Sequence, residues 1–366
     1  MAIDRRHLLR GAAGLGLSAW AIPLRASSEP APRLFSAARV KGVDGAALWQ
    51  ADGLVSSPLP GRAHALLPMP SGEILLMGRR PGKFAAFVDP HTGHETRRFA
   101  PLKGMRFAGH AALLANSAFA TSEIDAQTAE GWVAVRDANG RVREAFPLGG
   151  IEPHDLVFAD GRLVVAMGGI AYAADVKGPA MNAGAIDSQL IELDVRTGAV
   201  LARHRLVEDM RSLSIRHLAL VPDGRVIFGM QDQDKSRLRP LMGALAVGRD
   251  LSLLGMPQGE ETGALRFYIG SVASDVSGRY VVATSPKGGV AGLWSLTSGR
   301  FLGGLKVMDV CGLAADSESG HFWLTSGLGD VVRVSADNEG LQVRGQWRAD
   351  AAFDNHLAFL GARALA

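Results

Sequence analysis

The chain has 366 residues, and 45 glycines spread along it without a collagen period call for many tight turns, as an all-β protein of short strands does. Apolar residues make up 47% and charged residues 20%, which excludes a disordered chain, and the single cysteine, Cys311, excludes an internal disulfide. The formal charge of +3 comes from residues 1–26, where four arginines face one aspartate; beyond them 35 basic and 35 acidic residues balance, so the basic footprint of a nucleic-acid binder is missing.

At the start of the chain, Arg5 and Arg6 stand ahead of Leu8 and Leu9, with Arg10 beyond them. This order resembles a twin-arginine export signal. Residues 11–24 are mildly apolar but short and rich in Gly and Ala, and Ala26 offers a small residue for cleavage. The expected organisation is a leader over residues 1–26 and one folded unit over residues 27–366. No second apolar run of about 18 residues follows, so the product is expected to be periplasmic and not membrane-spanning.

A four-strand unit then repeats. In residues 154–206 an inner strand begins at His154 and closes at Gly161, a β-branched second strand follows, a third ends at Thr197 and Gly198, and a fourth completes the unit. Residues 217–254 repeat the frame from His217. It recurs at His64, His110, Ser271 and Cys311, and a last copy at His356 contains only the inner strand. Three unassigned strands, expected at residues 34–40, 46–51 and 54–57, would complete that copy from the other end of the chain. Successive inner strands start 46, 44, 63, 54, 40 and 45 residues apart. Four-stranded propeller blades recur at ~40–50 residues, so the two long intervals carry insertions. The predicted fold is all-β: a seven-bladed β-propeller of four-stranded blades, the first blade split between the N- and C-termini.

The insertions fall at residues 168–187, 231–240 and 256–267, all on the face where inner strands begin. Long loops gather where function is. On that face the repeat places His64, His110, His154, His217 and His356 at one position per blade, with Cys311 and Ser271 in the other two blades. Inner strands line a propeller's channel, so one position per blade becomes a ring. Five imidazoles and a thiol there are candidate ligands for a transition metal. Glu152, Asp309 and Asp354, each two residues ahead, are candidate carboxylates to orient the rings. If the histidines ligate, affinity is expected to fall through the usual histidine range, ~6–6.5. The alternative reading makes these histidines structural. WD-repeat propellers use a Gly-His pair as a hydrogen-bonding strut, and Gly109 with His110 has that form. Met77, Met167 and Met230 end second strands on the same face, as soft ligands or core filler. His91 and His94 are expected on the opposite face, and Asp232 with Asp234 forms only a fragment of a calcium loop. No nucleophile elbow, P-loop or zinc-protease motif occurs.

Taken together, the Arg5–Arg6 leader, the split seven-unit pattern, the second strand at residues 161–169 and the His-Leu and His-Ala pairs of the inner strands resemble one bacterial family. It consists of twin-arginine-exported propellers, without an assigned activity, whose genes lie beside imelysin-type iron-uptake proteins and a di-haem oxidase-like protein. The resemblance implies a periplasmic role in iron or copper handling, a transition-metal ion as the bound species, and a protein of an iron-uptake system as partner. Two other readings fit the same mouth: a propeller enzyme of lactonase, lyase or oxidoreductase type acting on a small molecule, and a metal-free docking platform.

Overall fold

The computed structural model describes residues 32–80, 82–172, 181–182 and 186–362; the leader expected at residues 1–26 lies outside the described residues. The strands assort into seven four-stranded antiparallel sheets arranged as a seven-bladed propeller. Blades are named here by their hub residue. The His356 blade is the split one: the C-terminal Ala352–Ala362 pairs with Pro32–Val40, which is followed outward by Val43–Gln50 and Gly53–Pro58. In the other six, the inner strands are Ala63–Pro68, Met105–Leu113, Pro153–Ala159, Leu213–Leu220, Ser271–Ser274 and Val310–Ala315. Each inner strand packs on the next, and Val310–Ala315 against Ala352–Ala362 closes the ring. Helical structure among the described residues is confined to three single turns, and none is long and apolar enough to cross a membrane.

The blades are glued by the two-residue period of their strands, which sends consecutive side chains to opposite faces. Leu34 enters the apolar cluster shared with the Cys311 blade, while Phe35 enters the cluster shared with the His64 blade. Leu75 and Leu76 divide in the same way. Both faces of every sheet are thus covered, and middle strands read as continuous buried runs, as Ile74–Gly78 and Val290–Ser295 do. Each Phe or Leu so buried contributes ~1.5–3 kcal/mol. Hairpin turns seat on the neighbouring blade: Gly198, at φ 72°, lies so close to the Phe146 ring that a Cβ there would come within 2.1 Å of it.

Candidate metal centre

Six of the seven inner strands break register at the hub. The shift falls between Ala63 and Leu66, Phe107 and Ala111, Pro153 and Leu156, Ile215 and His217, Val310 and Gly312, and between Phe353 and Leu357 in the split blade. Each bracket holds or adjoins a hub residue. The Ser271 strand alone pairs regularly, Ser271 opposite Thr284 through Ser274 opposite Val281. A bulge bends its strand and re-aims the extra side chain. It also frees backbone carbonyls, which must find donors. The second strands supply them: the Ser122 hydroxyl donates to the His154 carbonyl at 2.9 Å with the His110 carbonyl at 3.3 Å, and Ser36 donates to the His356 carbonyl at 2.7 Å. Gly109, at φ 110°, lets the His110 strand approach the His64 ring, which a Cβ would meet at 3.1 Å.

The five rings converge. Neighbours around the hub have centroids 4.8 Å (His356–His64), 4.9 Å (His64–His110), 4.7 Å (His110–His154) and 5.0 Å (His154–His217) apart. His217 and His356 meet at 5.2 Å across the sector of Ser271 and Cys311, so the arc closes on itself. Two sets of three have ligand atoms all within 4.8 Å of one another and could hold a metal ion: His64, His110 and His356, and His110, His154 and His217. His110 belongs to both.

Burial favours the neutral form in four of these imidazoles. Burial, reinforced by the neighbouring rings, drives His154, His217 and His356 well below the ordinary histidine pKa. His64 is lowered to about 4, again chiefly by burial, with its Asp354 contact opposing the shift. The sequence alone suggests the ordinary histidine range of ~6–6.5 for ring protonation; burial moves these four rings below it. Among the described residues His110 Nε2, His217 Nδ1 and His356 Nε2 are buried without a hydrogen-bond partner, as is His64 Nδ1 on the Asp354 side of its ring. A buried polar atom left unpaired costs ~1–3 kcal/mol, and three facing one hub suit a cation better than they suit each other.

The outer nitrogens distinguish the two triads. His110 Nδ1 lies 3.1 Å from Asp155 Oδ1, and Asp155 is itself pinned by the amides of Leu156 at 2.8 Å and Leu218 at 2.9 Å. His64 Nδ1 lies 3.5 Å from Asp354. At His110 the carboxylate fixes the proton on Nδ1 and turns the Nε2 lone pair to the hub, as a ligating histidine requires, while at His64 the longer contact favours the same tautomer by charge alone. Burial pushes the Asp354 carboxyl up, but His64, Arg79 and Arg62 outweigh it and hold it far below the usual carboxylate range. His154 Nδ1 instead faces Arg216 Nη1 at 3.4 Å, and a guanidinium can only donate. That leaves the His154 proton on Nε2. The triad of His64, His110 and His356 is the better-prepared one.

Cys311 does not join them. Its Sγ donates to the carbonyls of Phe353 at 3.3 Å and Thr325 at 3.7 Å, and burial pushes the thiol up to about 12. It packs with Ala314, Trp323 and Phe353 as a small core hydrophobe. Met77, Met167 and Met230 are fully buried in apolar clusters between blades. Of the three candidate carboxylates, Asp354 reaches His64 of the next blade, Glu152 pairs with Arg216 at 2.8 Å and Arg80 at 3.0 Å, and Asp309 is pushed up by burial against the charge of Arg62. Asp232 and Asp234 both pair with Arg239, at 2.9 and 2.7 Å. Sequence reasoning missed Asp155, Arg216 and the Arg79–Arg80 pair, although each adjoins a hub histidine or ends a second strand. It also missed Tyr172 and Tyr268, which the long loops bring to the mouth: Arg216 Nη2 donates to the Tyr172 hydroxyl at 3.2 Å, and the Lys287 ammonium lies 4.3 Å from the Tyr268 ring.

Residues 57–360 match the family described as "Protein of unknown function (DUF1513)". No curated protein matches the chain. Among solved structures it is similar to the RRP9 WD40 repeats (TM-score 0.60, 10% identity, 82% of this chain and 84% of that one) and to U3-55K (0.59, 10%, 82% and 85%). It is also similar to apo AztD from Citrobacter koseri (0.54, 11%, 90% and 98%). At these identities the likeness is one of fold.

Proposed function

The chain belongs to the DUF1513 family, whose description names no activity, and we propose that it is an exported metal-handling protein holding one transition-metal ion among its hub histidines. One observation carries this reading: five imidazoles converge on one axis, four of them buried and His356 half-buried, and four of the five leave a ring nitrogen without a hydrogen-bond partner. One ion is expected rather than two. Both triads need His110 Nε2, because its Nδ1 is committed to Asp155. The ion is assigned to His64, His110 and His356, with His154 and His217 as an alternative position alongside. A nitrogen-only set suits copper, zinc and ferrous iron, and the expected order of affinity is copper above zinc above iron. Periplasmic residence, a role in metal uptake and a partner in an iron-uptake system are further parts of the proposal, motivated by Arg5 and Arg6 and the family resemblance.

Three protein ligands leave a coordination position open, which favours a propeller oxidoreductase or hydrolase as the second reading. Metal content of the purified full chain, offered copper, zinc and ferrous iron in turn, tests the first. One ion per chain is expected in wild type, none in His110→Ala, and an unchanged content in Cys311→Ala. Equal content in wild type and His110→Ala, or none in wild type with any of the three, would return the histidines to the role of struts.

A further inference from the structure

A metal ion at this hub meets an electrostatic obstacle. Three neutral imidazoles leave a divalent ion with its full charge. The mouth around it is already cationic. Asp354 serves two guanidiniums, Arg62 and Arg79, and Glu152 serves two more, Arg80 and Arg216. Asp155 is occupied by His110 and two backbone amides. Lys287 adds a further cation over the Tyr268 ring, its pKa lowered by burial and by the charges of Lys235 and Arg216. Asp309, on the Cys311 side, is pushed up by burial. Like charges gathered around one site repel unless something anionic intervenes.

The same residues offer a place for it. Arg216 is 2% exposed, and its Nε has no hydrogen-bond partner among the described residues. Its Nη1 lies between Glu152 and His154, and its Nη2 on the Tyr172 hydroxyl. Arg80 stacks over the Tyr172 ring at 5.3 Å, as Lys287 stands over Tyr268. Cations, a phenol hydroxyl and an unsatisfied guanidinium donor thus gather around Arg216, which touches the histidine ring at His154.

Resting on the hub-metal reading, we propose that the site takes its ion together with a small oxyanion, of carboxylate or phosphate class, held by Arg216, Lys287 and Tyr172. An anion oxygen completes the ion's coordination, and the anion offsets both the ion and the surplus guanidinium charge. The substrate of the hub is then a metal–oxyanion pair rather than a bare cation. By linkage, whatever factor the anion adds to metal affinity the metal adds to anion affinity.

Cobalt(II) is a suitable probe, since its visible spectrum reports coordination. It is titrated into the full chain in perchlorate buffer, then with acetate and, separately, with inorganic phosphate. Each oxyanion is expected to tighten cobalt binding roughly tenfold or more and to shift the visible bands; the larger effect identifies the carboxylate or the phosphate source. Lys287→Met, at an exposed residue outside the triads, should lose most of that tightening while still binding cobalt in perchlorate. Arg216→Gln should lose all of it, and if that buried variant fails to fold, Lys287→Met alone decides. Cobalt affinity and spectrum indifferent to both oxyanions in wild type, or full tightening retained in Lys287→Met, would overturn the proposal. Absence of cobalt binding in every buffer overturns the hub reading itself, and this inference with it.

Discussion

The arc of five histidines and the two-blade sector of Ser271 and Cys311 occupy one repeat position, and they part at the backbone. In the arc, register shifts at or beside each histidine bring its ring to the axis. The Ser271 strand has no shift, and the Cys311 strand has one that delivers its sulfur to two carbonyls instead. A bulge is thus needed for convergence but does not ensure it; the side chain must also lack a better partner nearby. The small residues of the second sector have a function of their own. They let His217 and His356 meet at 5.2 Å, which turns an open arc into a compact cluster.

The largest way to break this comparison is to tear the seam between the two regions. Removing residues 352–366 deletes the strand Ala352–Ala362, and with it Asp354, His356 and the closure against Val310–Ala315. Pro32–Val40 becomes an unpaired edge, and Phe353 and Leu357 leave the apolar cluster that holds Trp49 and Trp323. Two such side chains alone account for ~3–6 kcal/mol, a large part of a domain's net stability. The truncated chain is expected to aggregate or to show no cooperative melt. A melting temperature equal to that of the full chain would contradict closure by the C-terminal strand.

Much of this architecture was legible beforehand, and what was not has one physical cause. Glycine turns and apolar runs disclosed seven units, and the orphan strand at His356 disclosed the split blade. Five histidines at one repeat position disclosed the ring. Strand periodicity, however, puts consecutive residues on opposite faces. By that rule Arg216 must turn away from the side His217 occupies, and Asp155 from that of His154. The bulges suspend the rule, so Arg216 stands 3.4 Å from His154, and Asp155 reaches His110. Bulges carry no apolar signature here, because they fall at polar positions. Cys311 was misjudged for a related reason: the ring position was visible, but the carbonyls of Phe353 and Thr325 that take its sulfur lie in other strands.

A second way to sharpen the comparison is pH, because four histidines of the arc hold back protons in the range near neutrality. His64, His154, His217 and His356 all have folded-state pKa values below that of an unfolded histidine, ~6.5. Below that pH the unfolded chain binds protons that the hub refuses, so stability falls as pH falls. The loss begins near 6.5 and, for His64, ends once pH passes its folded value of about 4. His64 alone accounts for on the order of 3 kcal/mol over that window. The depressed Asp354 acts in the same direction at still lower pH. Urea melts of metal-free protein between pH 7 and 4.5 are expected to show a steep loss of stability. In His154→Gln the slope should shrink, since one such group is gone; an identical slope would mean that the arc does not withhold protons. Added metal should raise the whole wild-type profile without flattening it, because binding to the folded state alone adds stability while the ligated histidines still refuse the protons that the unfolded chain takes up.

The subtlest test sets one carboxylate of each region against the other. Asp155 lies in the arc, 3.1 Å from His110 Nδ1, and two backbone amides hold it rigid. Asp309 lies beside the second sector, pushed up by burial, with Arg62 as the charge opposing that shift. Asp155→Asn keeps the shape and an acceptor oxygen but removes the charge that holds the His110 proton on Nδ1. Its amide can also present a hydrogen to Nδ1, which would put the histidine proton on Nε2, facing the hub. Loss of such an outer carboxylate typically lowers metal affinity ~10–100-fold. Asp309→Asn should change affinity less than ~2-fold, since no triad member depends on it. Competition titrations of both variants with a chelator of known affinity would measure the two effects on one scale. If both variants bind as wild type does, His110 is not the shared ligand. If Asp309→Asn is the weaker binder, the ion sits on the Cys311 side of the hub, and the division between the two regions has been drawn in the wrong place.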